Sequence, residues 1–144
     1  EITTRLVGSE MCIRDRFISG SRVPSIPEPN PIYHLPDEEF KRELGRFEGT
    51  PKEVLENQEL LDFFLPMLRA DFTMDETYYD KAGIVLHTPI AAFGGEKDGE
   101  ADESAILEWG KYTDNDFNYR IFPGGHFYLR DCEDEVISEV MRLL

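Results

Sequence analysis

The sequence predicts an α/β protein, built as a three-layer sandwich on a mostly parallel sheet with a helical insertion. Two short apolar runs, "PIAAF" at 89–93 and "NYRIF" at 118–122, predict buried strands, and each is followed by a pair of glycines. An amphipathic helix pattern separates the runs and another follows them, and the order strand, helix, strand, helix requires parallel pairing. Helical patterns between residues 31 and about 80 predict the insertion.

Length and composition exclude several classes of partner. The chain has 144 residues, 40% of them hydrophobic, which suffices for one domain with a packed core. A net charge of -15 opposes binding to nucleic acid or an anionic membrane surface. No apolar run has the length of a membrane span. Cys12 and Cys132 lack the spacing of a zinc site or a disulfide framework, so we expect a cytoplasmic protein without metal or other cofactor.

The first predicted strand is "FISG" at 17–20, and four prolines within 21–32 then exclude regular pairing. Residues 1–16 show no sustained hydrophobic period, and their charges cancel. Within them, "MCIRDR" resembles translated read-through from a sequencing adapter. We therefore predict that residues 1–16 form a non-native or poorly packed tail.

The insertion begins with two predicted helices. Pro36 precedes three acids, a pattern that favours a helix over residues 36–47. The stretch "TPKE" at 50–53 has the pattern of a capping box with Thr50 as the cap, which predicts a helix over 51–57.

A third predicted helix, "QELLDFFLPMLRADF" at 58–72, has an apolar surface wider than one helical stripe. We expect Pro66 to interrupt or kink it. Such a helix fits either a protein core or a lid that covers an apolar ligand, and the pattern leaves both open.

Two further helices complete the predicted order. The stretch 102–112 is amphipathic, and its predicted apolar side comprises Ala105, Ile106, Trp109 and Tyr112. The closing helix, 133–144, starts with acids, and its predicted inward residues are Val136, Val140, Leu143 and Leu144.

Chemically useful side chains follow both glycine pairs. Glu96 and Asp98 come after the first strand, and His126 comes after the second. The carboxyl ends of parallel strands meet at one edge of the sheet, and an acid followed by a histidine is the order of the last two members of a Ser-Asp-His triad. A triad requires Asp98 and His126 to lie about 2.6 to 3.2 Å apart. Alternatively, His126 satisfies a local carbonyl in its turn and Asp98 is one of many solvated acids.

Three other reactive side chains are weaker candidates. His34 precedes a helix start and His87 precedes a strand, so we expect both to be structural or exposed. Cys132 lies beside Asp131 at an acidic helix start, which disfavours a thiolate.

Four segments in order resemble the C-terminal half of type II thioesterases, the stand-alone editing hydrolases of nonribosomal peptide and polyketide synthesis. They are "HLPDEEF" at 34–40, "GTPKEVLENQELLDFFLPMLRADFTMDETY" at 49–78, "PIAAFGGEKD" at 89–98 and "FPGGHFYLRD" at 122–131. The resemblance covers residues 17–144. It implies the C-terminal part of an α/β-hydrolase fold with a helical lid over about 31–80, with Asp98 as catalytic acid and His126 as catalytic base.

The resemblance also implies a substrate and a partner. The family hydrolyses acyl or aminoacyl thioesters on the phosphopantetheine arm of acyl or peptidyl carrier proteins, and we expect a monomer when the protein is full length. The lid residues expected to bind the acyl group are Phe63, Phe64, Leu68, Phe72 and Tyr78. Because carrier proteins are acidic, docking would use basic positions such as Arg69 or apolar contact.

The family's nucleophile is a serine in a Gly-x-Ser-x-Gly motif, which none of the 144 residues forms. We therefore expect the chain to be a gene piece that is inactive by itself and prone to edge pairing and aggregation. A generic α/β-hydrolase esterase, an acyltransferase and a non-catalytic acyl- or protein-binding module are the alternatives.

Overall fold

The structure is a computed structural model that describes residues 15–45, 47, 49–81 and 83–144. Most of the predicted tail, residues 1–14, lies outside the described residues. Arg16, the last residue of that predicted tail, is already the first residue of a strand.

Three parallel strands form the sheet. They are β1 (Arg16–Ser19), β2 (Ile90–Gly95) and β3 (Phe117–Phe122), in the spatial order β1-β2-β3. Ile90 lies opposite both Arg16 and Phe117, so the strands run in register from one end of the sheet to the other. Every residue of β2 is buried, as expected for a central parallel strand. The second strand was also predicted to be buried, but Asn118 and Tyr119 of β3 are exposed, because β3 is an edge strand of the described sheet. The predicted parallel sheet is confirmed.

The helices follow the predicted order, with one addition. In the insertion they are α1 (Asp37–Leu44), α2 (Lys52–Leu55) and α3 (Gln58–Thr77). After β2 comes α4 (Glu103–Leu107), which continues as a 3-10 helix (Glu108–Tyr112), and after β3 come α5 (Tyr128–Asp131) and α6 (Glu133–Leu143). The addition is α5, which was not predicted.

The predicted helix ends in the insertion need correction. Pro51, not Thr50, is the N-cap of α2. Because the proline side chain has no hydrogen-bond acceptor, the predicted capping box does not form. The helix is a single turn, Lys52–Leu55. α1 ends at Leu44, short of the predicted residue 47. α3 runs unbroken through Pro66, so the predicted interruption does not occur, and the helix begins where the Asn57 side chain accepts the Leu60 N–H.

The alternation of β2 assigns its side chains to two separate cores. Ile90 and Ala92 pack with Ile106 and Trp109 from the α4 side. Ala91 and Phe93 face the opposite side, where the cluster also receives α6. Helix, sheet and helix therefore form the three predicted layers.

Helices α1 to α3 have a core of their own. Its fully buried centre is Phe40 and Leu44, which pack with Leu61 and Leu65 of α3. We call residues 31–80 the helical segment. Among the described helices, none combines the length and apolar character of a membrane span.

Helix α6 packs on the sheet with Val136, Val140 and Leu143, as predicted. Leu144 was also predicted to point inward, but it is 54% exposed, because it lies beyond the end of the helix and away from that packed face.

A buried carboxylate fixes α6 to β3. Glu139 is 7% exposed, accepts a hydrogen bond from Arg120 at 2.7 Å and also binds Arg142. The Arg142 and Arg120 guanidinium groups together lower the Glu139 pKa from 4.5 to about 2. A depressed carboxyl pKa stabilises the fold above the unfolded-state pKa, and this contribution fades as the pH falls towards 2.

We therefore expect Glu139→Gln to destabilise the protein most above pH 5. The difference in free energy of unfolding between variant and wild type should shrink as the pH falls from 4.5 towards 3. Denaturant unfolding at a series of pH values measures it. A difference that stays constant across that range would contradict the role of the ionised carboxylate.

Candidate active site

The glycine at the end of β2 allows two backbone segments to meet. A Cβ atom on Gly95 would lie 2.2 Å from the Gly125 carbonyl oxygen, a distance that only glycine permits. Beyond it, the Glu96 N–H donates to the Phe122 carbonyl and the Lys97 N–H to the Gly124 carbonyl, both at 2.8 Å. These contacts join the loop after β2 to the loop after β3.

Asp98 and His126 meet at this junction. Asp98 Oδ2 lies 3.0 Å from His126 Nδ1, within the range that a triad requires. The Asp98 side chain is completely buried, whereas the His126 side chain is 39% exposed. Glu96, the other acid offered by this loop, is exposed. The geometry therefore selects Asp98 as the partner of the histidine.

The second carboxylate oxygen is held by the backbone. Asp98 Oδ1 accepts the Glu100 N–H at 2.8 Å and the Ala101 N–H at 3.1 Å. Both oxygens are thus engaged, and the carboxylate has a fixed orientation towards the imidazole. A carboxylate at Nδ1 keeps the proton on that nitrogen and leaves Nε2 as the basic atom, the arrangement of a general base.

The end of β1 packs against the pair. Gly20 has a positive φ of 54°, and a Cβ there would lie 3.3 Å from His126 Cε1 and 3.7 Å from Asp98 Oδ2. The preceding residue, Ser19, hydrogen-bonds through its hydroxyl to the Tyr128 hydroxyl at 2.6 Å. Burial raises the pKa of Tyr128, so this hydroxyl stays protonated at neutral pH. Neither Ser19 nor Tyr128 was predicted from sequence, since nothing in the pattern pairs residues this far apart in the chain.

A cavity of about 860 Å³ lies beside the pair. The sheet edge lines it with Gly20, Asp98 and His126, and the helical segment lines it with Phe47, Phe72 and Tyr78. Two of the five predicted acyl-binding residues, Phe72 and Tyr78, therefore face the cavity. Phe47 was missed, although its ring lies 5.0 Å from that of Phe72.

The other three predicted acyl-binding residues do not line this cavity. Phe63 is 77% exposed and its ring lies 5.1 Å from that of Phe64 on the same helix. Leu68 packs into the core of the helical segment. An apolar surface wider than one stripe was correctly recognised on α3, but its side chains divide between the cavity, the core and the surface.

Arg69 is not a free basic position. Its guanidinium donates to the Tyr33 carbonyl and, at 2.7 Å, to Asp37 Oδ1, and it lies 4.3 Å from the centre of the Phe40 ring. Its donors are therefore already engaged at the start of the helical segment, which does not favour Arg69 as a docking charge.

The remaining reactive side chains lie away from this site. His34 and His87 are exposed, and His87 bonds to Asp114 at 2.7 Å. Burial, together with the charges of Glu135 and Asp131, raises the pKa of the Cys132 thiol, which agrees with the prediction that it is no nucleophile. Over the described ranges, no group of three or more His, Cys, Asp or Glu side chains is placed to hold a metal ion.

Comparison with known proteins gives the family. The family model for the thioesterase domain matches residues 1–144. Gramicidin S biosynthesis protein GrsT from Aneurinibacillus migulanus is 37% identical over 129 residues, which are 89% of this chain and 50% of that protein. Thioesterase PikA5 from Streptomyces venezuelae is 35% identical over 124 residues, 86% of this chain and 44% of that protein. The chain thus spans about half the length of the curated relatives it matches.

A solved structure has the same architecture. YbtT, a type II thioesterase from the yersiniabactin biosynthetic pathway, superposes with a TM-score of 0.81 at 30% identity and covers 90% of this chain and 53% of its own. The α/β fold expected from sequence is confirmed by this match. The chain belongs to the thioesterase domain family and is similar to its type II members.

Proposed function

We propose that this chain forms the acid-base half of a type II thioesterase, an enzyme that hydrolyses acyl or aminoacyl thioesters on the phosphopantetheine arm of a carrier protein. The observation that carries the proposal is the 3.0 Å contact between Asp98 and His126 beside a cavity of about 860 Å³. A non-catalytic binding module does not need these side chains to meet, so the contact favours an enzyme.

In this mechanism His126 transfers the proton, and Asp98 orients the His126 imidazole. Nε2 accepts the proton of an attacking serine hydroxyl, and the resulting imidazolium is stabilised by the Asp98 carboxylate at Nδ1. The imidazolium then protonates the departing thiolate as the carbon-sulfur bond breaks and an acyl-enzyme forms. Water then attacks the acyl-enzyme and gives a proton to His126, which passes it to the serine oxygen as the ester bond breaks and the acid is released.

The nucleophile would come from the other half of the enzyme. The 144 residues contain no Gly-x-Ser-x-Gly motif, and the chain matches about half the length of its relatives. In the proposed whole enzyme the serine and the oxyanion donors approach His126 from the preceding part of the domain.

The helical segment would act as the lid over the acyl group. Phe47, Phe72 and Tyr78 contribute an apolar wall to the cavity that His126 also lines, and Asp75 and Glu76 of the same segment line it as well. An apolar wall of this kind binds the hydrocarbon part of an acyl chain, while the thioester lies towards the imidazole.

Docking of a carrier protein would use basic side chains close to His126. Lys97 lines the cavity, and the Arg130 guanidinium lies 4.5 Å from the centre of the Phe127 ring, next in sequence to His126. Neither cation takes part in an ion pair with the described residues. They offer local positive charge for the phosphate of the arm, in a chain whose net charge is -15. We also propose that the whole enzyme works as a monomer in the cytoplasm.

Hydrolysis by the full-length enzyme tests the function. We expect it to cleave an acyl-pantetheine thioester much faster than the matching oxygen ester, and to release the free acid. The 144-residue chain alone should show only the background rate, because it lacks the nucleophile motif. Preferential cleavage of the oxygen ester would favour a generic esterase, and an acylated or macrocyclic product would favour an acyltransferase.

A further inference from the structure

A half-buried arginine, Arg22, contacts the Asp98 loop and lines the same cavity as His126. Arg22 follows β1, and its Nη1 donates to the Glu100 carbonyl oxygen at 2.8 Å. Its Nη2 binds the carboxylate of Glu28. The side chains of Arg22 and Glu28 are only 20% and 9% exposed, so this pair is largely shielded from water.

The carbonyl that Arg22 binds shares a peptide group with an amide that binds Asp98. The Glu100 carbonyl and the Ala101 N–H are the two ends of one planar unit, and the Ala101 N–H donates to Asp98 Oδ1 at 3.1 Å. The opposite oxygen of Asp98 contacts His126 Nδ1 at 3.0 Å. A continuous series of hydrogen bonds therefore runs from Glu28 through Arg22 and this peptide group to the imidazole.

This series has a direction. A cation at the carbonyl oxygen polarises the peptide group and makes its N–H a stronger donor to the carboxylate. It also restrains the rotation of a peptide group in a loop, where no sheet or helix bond does so. Only an arginine can hold the carbonyl and the Glu28 carboxylate at once with a rigid fork of donors.

We propose that Arg22 is a positioning residue for the Asp98–His126 pair, acting through the Glu100–Ala101 peptide group to hold the carboxylate in line with Nδ1. The effect of Arg22 on catalysis rests on the proposed function, whereas the series of hydrogen bonds is observed independently of it. The hydrogen bonds of Arg22 go to the Glu100 carbonyl and to Glu28, so it acts on the acid that orients the base.

The loop that carries Arg22 has other attachments. The Trp109 indole N–H donates to the Ser21 carbonyl at 2.8 Å, and the Ser25 N–H donates to the Tyr112 hydroxyl at 3.1 Å. These bonds hold the loop on both sides of Arg22. The effect on Asp98 can therefore be separated from a general loss of the loop.

The test is a nuclear magnetic resonance measurement on the full-length enzyme. The His126 Nδ1 proton should give a downfield resonance that exchanges slowly with water. In Arg22→Gln we expect that proton to exchange at least about tenfold faster, because the carboxylate is no longer held in line. The Trp109 indole proton, which reports on the loop, should keep its position. The kcat for thioester hydrolysis should fall with little change in KM.

Two further variants complete the test. Lys97→Gln removes a cation that is adjacent to Asp98 in sequence but outside the hydrogen-bond series, and should leave the His126 proton unchanged. Arg22→Lys retains one donor for the Glu100 carbonyl and should preserve most of the slow exchange. If Arg22→Gln also displaces the Trp109 signal, the lysine variant decides: retention of the His126 signal supports the proposal and its loss contradicts it.

An unchanged exchange rate of the His126 Nδ1 proton in Arg22→Gln would overturn the inference. An increase of that rate in Lys97→Gln equal to the increase in Arg22→Gln would overturn it as well. Failure of the proposed function looks different. In that case the wild-type protein hydrolyses no thioester, while the His126 resonance and its dependence on Arg22 remain.

Discussion

Replacing Asp98 with asparagine should lower kcat of the full-length enzyme by about 10⁴-fold, with a much smaller effect on KM. The structure dictates how the new amide would sit. The Glu100 and Ala101 N–H groups donate to Oδ1, so the amide oxygen must occupy that position. The amide nitrogen then faces His126 Nδ1 as a donor, Nδ1 must accept, and the imidazole proton moves to Nε2. In that tautomer His126 cannot take the proton of a serine hydroxyl.

The matched control is Glu96→Gln. Glu96 lies two residues before Asp98 in the same loop, its side chain is exposed, and the substitution removes its charge. We expect its kcat to stay within about a factor of three of wild type, since a surface charge at this distance acts weakly through water. Steady-state kinetics on an acyl-pantetheine thioester measures both variants. A less than tenfold loss in Asp98→Asn, or an equal loss in the control, would contradict the role of Asp98.

Replacing Gly95 with alanine should destabilise the protein by about 3 kcal/mol or more and displace His126. The added Cβ would lie 2.2 Å from the Gly125 carbonyl oxygen and 2.9 Å from both the Gly124 oxygen and the Gly125 carbonyl carbon. These neighbours are backbone atoms, which cannot rotate out of the way as a side chain can. The loop after β3 must move as a unit, and the Asp98–His126 contact is lost with it.

Gly99→Ala is the control, because a Cβ there meets nothing within 4 Å. We expect its stability to change by less than about 0.5 kcal/mol, the usual range for a surface substitution. Thermal unfolding measures both variants, and the exchange of the His126 Nδ1 proton shows whether the pair has separated. A Gly95→Ala protein with wild-type stability and an intact His126 signal would refute this explanation of the glycine.

The contact between Asp98 and His126 could be predicted from the sequence because it depends mainly on the direction of two strands. Two parallel strands that run in the same direction bring their following loops to one edge, and a sheet repeats its spacing strictly. The inward residues of α6, Val136 among them, were also predictable, because one helical stripe faced one surface. The prediction that Leu144 points inward was wrong because the helical periodicity was extended past Leu143, the last residue of α6.

The helical segment was harder to predict. Its helices pack on each other before they pack on the sheet, so the side of α3 that faces the cavity depends on where α1 lies. Phe72 and Phe63 are equally apolar in sequence, yet one lines the cavity and the other is exposed. Arg69 has no sequence signal that it binds Asp37 and Tyr33, which lie more than 30 residues earlier in the chain.

Glu76, near the end of α3, binds the backbone near the start of the helical segment: its carboxylate accepts the N–H groups of Ile32 and Tyr33 at 3.0 Å or less. Just outside these residues, the Asp80 N–H donates to the Pro24 carbonyl at 3.0 Å. Within the described residues, the chain therefore enters and leaves the helical segment at neighbouring points. A unit whose two ends lie side by side can change in length or shape without rerouting the rest of the chain, so under the proposed function the acyl pocket can diverge while the Asp98–His126 pair is retained.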